Sequence, residues 1–274
     1  MLLAVNVGNK NISFAIFKDG ATEPMAKFSI AADLSKTADE YAVTVKQLLD
    51  FSGIDGKAVK GAIMASVVPQ LNDVIKHVVL ALTGKTPIIV GPGVKTGFAI
   101  RIDDPAELGA DIVANAGAVV SILKEEECEK AAIILDMGSV TTLFAINKNR
   151  EVVGGAILPG VGMSLDVLHR ETAQLPNIEM AGLSRAIGKN TKESLISGVL
   201  FGQAAMIDGL VDRFEKELKC ADAILFATGE YCKPMLGNLN HEFNYDPVLT
   251  LKGLAQIYKN TVNNFDNNAN RRLL

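Results

Sequence analysis

Cysteine and histidine are scarce, and there is no excess of basic charge. Cys128, Cys220 and Cys232 stand far apart and odd in number, so they imply neither a disulfide framework nor a zinc site. His77, His169 and His241 show no local metal-ligand spacing. Lys and Arg total 27 against 31 Asp and Glu, which leaves no electrostatic footprint for nucleic acid. No uninterrupted apolar run reaches the roughly 18 residues of a membrane span. The opening MLLAVNVGNK lacks the basic start and small-residue cleavage site of a signal peptide. The expectation is a cytoplasmic protein that engages neither nucleic acid nor membrane.

Two nucleotide signatures are also missing. Gly91-Pro92-Gly93-Val94-Lys95-Thr96-Gly97 lacks the spacing of a dinucleotide fingerprint, and no helix pattern opens directly after it. Neither Gly84-Lys85-Thr86 nor Gly188-Lys189-Asn190 has the upstream glycine of a Walker A loop. Both facts speak against a dehydrogenase and a P-loop NTPase. Loop 91–97 reads instead as a rigid wall on the substrate side.

What is there is apolar and long: 274 residues, 49% hydrophobic, ample for two cores. An internal repeat organises them. At a constant offset of 130, Gly8 falls on Gly138, Phe14 on Phe144, Ala15 on Ala145, Ile16 on Ile146 and Lys18 on Lys148, while Asn6 falls on Asp136. Each copy reads as an apolar strand, a polar turn containing Gly, and a second apolar strand.

Alternating helices and strands follow each copy. Thr37-Ala38-Asp39-Glu40 is a capping box opening a helix through Leu49. Strands are expected over 61–68, 86–90 and 223–228. Helices are expected over 71–82, 105–124, 191–218 and 251–262, the second of these packing between the halves, with a frayed polar tail. The fold class is therefore α/β, a duplicated pair of mixed sheets flanked by helices. The expected domains are 1–118 and 119–274, with the ligand in the cleft between them.

The turn Asn6-Val7-Gly8-Asn9-Lys10-Asn11 can present N–H groups to an anion. Its counterpart Asp136-Met137-Gly138-Ser139-Val140-Thr141-Thr142 adds hydroxyls for phosphate and a carboxylate for a cation. Either could also be an ordinary hairpin turn; their pairing favours phosphate. Gly109-Ala110-Asp111 sets a carboxylate in an apolar helix, where burial raises its pKa towards a general base, unless it merely caps that helix. Gly154-Gly155-Ala156-Ile157-Leu158-Pro159-Gly160 permits close approach and a sharp bend. Asn190, Thr191 and Glu193 open the long helix, where capping is the simpler role.

Taken together these segments resemble the type III pantothenate kinases of the actin-like (ribonuclease H-like) superfamily. The family's first phosphate motif, D-x-G-N-T-N, reads NVGNKN at 6–11, and its second, D-x-G-T-A-T-T, reads DMGSVTT at 136–142. SVVP (66–69), GPGVKTG (91–97), DPAELGAD (104–111), GGAILPG (154–160), TAQLP (172–176) and GKNT (188–191) also match its landmarks. The resemblance implies ATP-dependent phosphorylation of pantothenate on the way to coenzyme A. It further implies Mg²⁺ with ATP, a monovalent cation (K⁺ or NH4⁺) and a homodimer. It makes Asp111 the catalytic base and Asp136 the ligand of the monovalent cation. ATP and its phosphates fall to Asn6, Gly8, Asn9, Lys10, Asn11, Gly138, Ser139 and Thr141, and the substrate to Gly109, Ala110, Asp111 and Thr191.

Five departures stand beside these matches. Asn6 replaces an Asp and Lys10 a Thr, each adding one unit of positive charge to the first turn. The family's GADR reads Gly109-Ala110-Asp111-Ile112, and Ile102 stands where the family has a substrate-site tyrosine. The lost arginine forgoes a charge-assisted bond to a carboxylate worth about 1.5–3 kcal/mol. The family's TGG is Thr228-Gly229-Glu230. Two readings stay open: a kinase for pantothenate or a related hydroxylated molecule, and a non-catalytic homologue that binds or regulates.

Overall fold

The computed structural model describes residues 1–180, 182 and 185–271. It forms two compact units, one of Met1–Ala99, Asp103–Glu125 and the residues from Val248 on, the other of Ile100–Ile102 and Glu126–Pro247. The expected boundary at 118 falls inside a helix, Ala110–Glu125, and the chain's last helix returns to the first unit. A boundary placed by sequence order cannot foresee such a return, because it depends on which core the terminal helix buries its face against.

In the first unit the strands are β1 (Leu2–Val7), β2 (Asn11–Phe17), β3 (Ala26–Ala31), β4 (Gly61–Ser66) and β5 (Ile88–Ile89). They lie in the order β3-β2-β1-β4-β5, with β1, β2 and β3 antiparallel and β4 and β5 parallel to β1. Helices α1 (Ala38–Phe51) and α2 (Asn72–Thr83) pack on one face. Strand alternation sends Leu3, Val5, Val7, Ile12, Phe14 and Ile16 there, against Tyr41, Val45, Leu49, Ile75 and Val78. The capping box is present: the Thr37 hydroxyl accepts from Glu40 N at 3.3 Å, and Glu40 Oε2 accepts from Thr37 N at 2.8 Å. Gly84, at φ +68°, ends α2 in the left-handed conformation that favours glycine.

The opposite face carries small residues, Ala4, Ala15 and Ala65, all buried. Here the closing helix (Leu249–Arg271) lies against β1, β2 and β4, with α3 (Ala110–Glu125) packed along it. Within the first unit, α3 thus buries much of its apolar face against the closing helix and β4. Glycines set the spacing. A Cβ on Gly253 would overlap the Ala114 carbonyl, one on Gly61 would overlap the Tyr258 hydroxyl, and one on Gly117 would stand 3.1 Å from Ile257 Cγ1. The tail expected to fray is helical to Arg271; residues 272–274 lie outside the described residues.

The second sheet consists of β6 (Ala99–Ile100), β7 (Ala132–Met137), β8 (Val140–Ile146), β9 (Glu151–Pro159), β10 (Ile224–Thr228) and β11 (Asn244–Tyr245), in the order β11-β10-β7-β8-β9-β6. Helices α4 (Val161–Arg170), α5 (Thr191–Leu218) and the short α6 (Cys232–Met235) bury Ile133, Leu135, Met137 and Leu143. By length and composition α5 could cross a membrane, since an 18-residue window in it reaches a mean hydropathy of 1.5. This qualifies the expectation that no segment is apolar enough. In the structure 56% of that window is buried, and Val199, Leu200, Ala204, Ile207 and Val211 are core residues. The glycine segment expected to bend sharply is instead strand β9. Close approach does hold, for a Cβ on Gly155 would overlap the Leu143 carbonyl and meet the Phe144 ring at 2.7 Å.

The duplicated hairpin exists, but the residue matches stop at the turn. Asn6 and Asp136 occupy the same place: both half-buried, one residue before the strand end, in the strand that pairs with a parallel neighbour. Beyond the turn the registers differ. Val7 faces Ile12 across residues 8–11, whereas Met137 faces Thr141 across only 138–140. Aligning the first strands therefore sets Phe14 against Leu143, both buried, and not against the half-buried Phe144. A one-residue slip moves side chains to the other face, so the identities at Phe144, Ala145 and Ile146 are out of structural register.

The helix pair in the first unit gives a direct test. Replacing Gly253 by Val forces bulk onto the Ala114 backbone and should cost about 1–3 kcal/mol of stability, read by thermal melting. The same change at Gly237, where an added Cβ meets nothing, should cost less than about 1 kcal/mol.

Candidate functional site

The first turn is closed by Gly8 N donating to Asn11 O at 2.9 Å. A Cβ on Gly8 would lie 3.1 Å from that same oxygen, so the turn needs glycine to close tightly. Asn9, Lys10 and Asn11 are exposed at its tip, and Ala32 N donates to Lys10 O, tying the tip to the end of β3. Beneath it, Asn6 Oδ1 is buried and has no hydrogen-bond partner. A buried amide oxygen left unbonded costs about 1–3 kcal/mol, and functional sites are where such costs are tolerated.

In the second unit the turn is tighter, with Gly138 N donating to Val140 O at 3.0 Å. Asp136 and Ser139 are half-buried there. Two glycines that sequence reasoning did not attach to this turn press against it. A Cβ on Gly160, the N-cap of α4, would overlap the Ser139 carbonyl. Gly229, at φ +100°, would bring a Cβ within 2.5 Å of the Met137 backbone, and Tyr231 N donates to Met137 O at 3.1 Å. The turn is thus enclosed by the start of α4 and the loop after β10, and α4 brings unbonded N–H groups of its first turn beside it.

Thr141 is held from within the fold. It is 1% exposed, and its hydroxyl donates to Gln203 Oε1 at 3.4 Å. Gln203 Nε2 in turn donates to Pro159 O at 3.0 Å and to Ser164 Oγ at 3.3 Å. The Thr141 hydroxyl thus joins an internal network that braces the turn from α5. Gln203 is the residue missed; its signal was a buried amide in the apolar stripe of a long helix.

Asp111 opens α3 in the first unit. Its Oδ1 accepts from Ile112 N at 2.8 Å, and Val113 N donates to Gly109 O at 3.0 Å. A Cβ on Gly109 would stand 2.6 Å from Asp111 Oδ1, so glycine leaves room for the carboxylate. Burial pushes the Asp111 carboxyl above the usual carboxylate range, outweighing the backbone N–H groups that pull it down. The capping role and the raised proton affinity therefore coexist. Ile112 is 9% exposed and Ile102 half-buried, so neither offers a charge.

At the start of α5, Asn190 Oδ1 accepts from Glu193 N at 2.9 Å, and Glu193 Oε2 accepts from Lys189 N at 2.9 Å and from Arg185 Nη2 at 2.6 Å. Asn190 and Glu193 act as caps, and Thr191 is exposed beside them. A Cβ on Gly188 would lie 2.5 Å from Ser194 N. The C-terminal half of the 91–97 loop is tied to the closing helix and to α3: Lys95 N donates to Thr261 Oγ1 at 3.2 Å, Asn260 Nδ2 to Thr96 O at 3.0 Å, and Lys124 Nζ to Gly97 O at 2.8 Å.

As cation sites the turns are unequal. The second offers the Asp136 carboxylate with hydroxyls nearby, which suits a cation. The first offers only amides and an ammonium, which does not suit Mg²⁺. Among the described residues no three His, Cys, Asp or Glu side chains gather as a metal site.

Two mixed sheets, each opening on a glycine-turned hairpin, define a protein of the actin-like α/β class. Solved structures agree at the level of fold: a conserved Baf-family protein from Campylobacter jejuni, at 21% identity and TM-score 0.57, covers 95% of this chain and 99% of its own. Component A of (R)-2-hydroxyglutaryl-CoA dehydratase from Acidaminococcus fermentans follows, at 14% identity and TM-score 0.54, over 94% and 98%. The family model for type III pantothenate kinase matches residues 2–213. A type III pantothenate kinase from Moorella thermoacetica is 38% identical over 259 residues, 94% of this chain and 99% of the relative. The chain belongs to the type III pantothenate kinase family.

Asp111 yields a pH prediction. A carboxyl whose folded pKa is raised stabilises the fold fully below its unfolded pKa and loses that contribution as pH rises through the folded value. Asp111→Asn, which keeps an oxygen for Ile112 N, should therefore melt higher than the parent at pH 8. The difference should vanish by about pH 3, below the ordinary carboxylate range.

Proposed function

We propose that this chain transfers the terminal phosphoryl group of ATP to the hydroxyl of pantothenate, forming 4'-phosphopantothenate for coenzyme A synthesis. The observation that carries the reading is Asp111, a half-buried carboxylate of raised proton affinity, given room by Gly109 and held by the first turn of α3. Asp111 accepts the proton as the substrate hydroxyl attacks phosphorus, and ADP leaves with the pair of electrons from the broken bond. Gly109 and Ala110 line the approach to that carboxylate, and Thr191 offers a hydroxyl to the substrate. Gly138 and Ser139 take ATP phosphates on the second turn.

Asp136 holds a monovalent cation (K⁺ or NH4⁺) as counter-charge. Mg²⁺ arriving with ATP meets no carboxylate at the first turn. The adenine fits an apolar cavity of about 330 Å³ bordered by Val161, Met180, Leu200, Tyr231, Pro234 and Met235, which adjoins the second turn through Val161 and Tyr231. We place the protein in the cytoplasm as a homodimer.

Asn6, Ile102 and Ile112 favour a second reading, a homologue that binds ligands without turnover. Incubation with ATP, Mg²⁺, K⁺ and pantothenate should yield phosphorylated product, and Asp111→Asn should lower kcat by about 10²–10⁴-fold. Absence of product, with none gained by the double change Asn6→Asp and Ile112→Arg, would sink the pantothenate reading and leave a non-catalytic homologue or a kinase for another hydroxylated molecule.

A further inference from the structure

We infer that the first turn grips the nucleotide's polyphosphate directly, as a metal-free anion site, so that nucleotide affinity in this chain does not depend on Mg²⁺. The inference rests on the kinase reading above and concerns the turn of residues 6–11 alone.

The two hairpins supply their own comparison. Asn6 and Asp136 hold the same position on corresponding strands, half-buried, one residue before the strand end. From 6 to 11 the only charged side chain is Lys10, giving +1; from 136 to 142 the only one is Asp136, giving −1. A carboxylate beside a phosphate repels it unless a cation stands between them. An amide does not, and its two N–H bonds can donate to a phosphate oxygen.

Asn6 is free to do so. Its buried Oδ1 accepts no hydrogen bond, so no partner at that oxygen fixes the orientation of the amide. Amide orientation follows whichever hydrogen-bond network is present, and a polyphosphate is such a network. In the same turn, the exposed Lys10 carries a full positive charge, a known way to hold phosphate. Asn9 and Asn11 flank it with further amides, and the Gly8–Asn11 bond holds the backbone of the turn. Every group the turn brings to the anion is thus a neutral or cationic donor. In this donor set the charge neutralisation usually assigned to a divalent cation is built into the polypeptide.

Calorimetric titration of the full chain with ATP, in excess EDTA and again with Mg²⁺, tests this. The dissociation constant in EDTA should match the Mg²⁺ value within about threefold, or be tighter. Lys10→Thr should weaken metal-free ATP binding by about tenfold or more, the worth of one charge-assisted bond, and should weaken Mg²⁺-ATP binding much less. Asn6→Asp should make binding depend on Mg²⁺ by a similar factor. Thermal melting confirms that both variants are folded, and Lys10→Thr, at an exposed position, keeps the test open if Asn6→Asp is not. If the parent loses tenfold or more in EDTA, the inference is overturned and the kinase reading stands. If ATP binds in neither condition, the kinase reading falls and the inference with it.

Discussion

Both units depend on one local constraint: a buried strand must reverse within three or four residues and still satisfy its backbone. Gly8 and Gly138 solve it with a short internal hydrogen bond at each turn. The reversal leaves the penultimate residue of the first strand half-buried where the backbone turns away. A polar residue there is held by the sheet yet open to whatever sits on the turn. Asn6 and Asp136 are those residues. The surrounding glycines, Gly160 and Gly229 above all, are close-packing requirements created by the second turn.

Asp111 follows from a different balance. A carboxylate in the first turn of a helix is favoured by the helix dipole and by backbone N–H groups. Here burial opposes and exceeds that preference. The outcome depends on the apolar environment of α3, whose Val113, Ala114, Ala116 and Val119 are buried. Small residues along α3 and the closing helix let that environment form, since Gly117 and Gly253 bring the helices into backbone contact. Stability and a raised proton affinity thus trace to one interface.

Much of the fold was legible in the sequence. The capping box at Thr37, the long helix at 191–218 and the two hairpins are local patterns, and local patterns survive folding. Strand β9 was not legible, because Gly154 and Gly155 read as a break and its pairing with β8 is non-local. Helix α4, opening on a bare glycine cap, left no signal either. At the site, the two turns and Asp111 were visible as motifs. The burial of Thr141 and the bracing by Gln203 were not, since both depend on α5 lying across the turn.

The sequence by itself determined that there are two glycine turns, that one carries Asp136 and the other Asn6 with Lys10, and that the Asp111 carboxylate stands at the head of an apolar stretch. These are matters of residue type and spacing, which covalent order sets completely. Only the tertiary structure decided the rest: the differing registers of the two hairpins, the return of the closing helix to the first unit, and the proton affinity of Asp111. Each rests on which surfaces exclude water from one another, and that is settled by contacts between residues far apart in the chain.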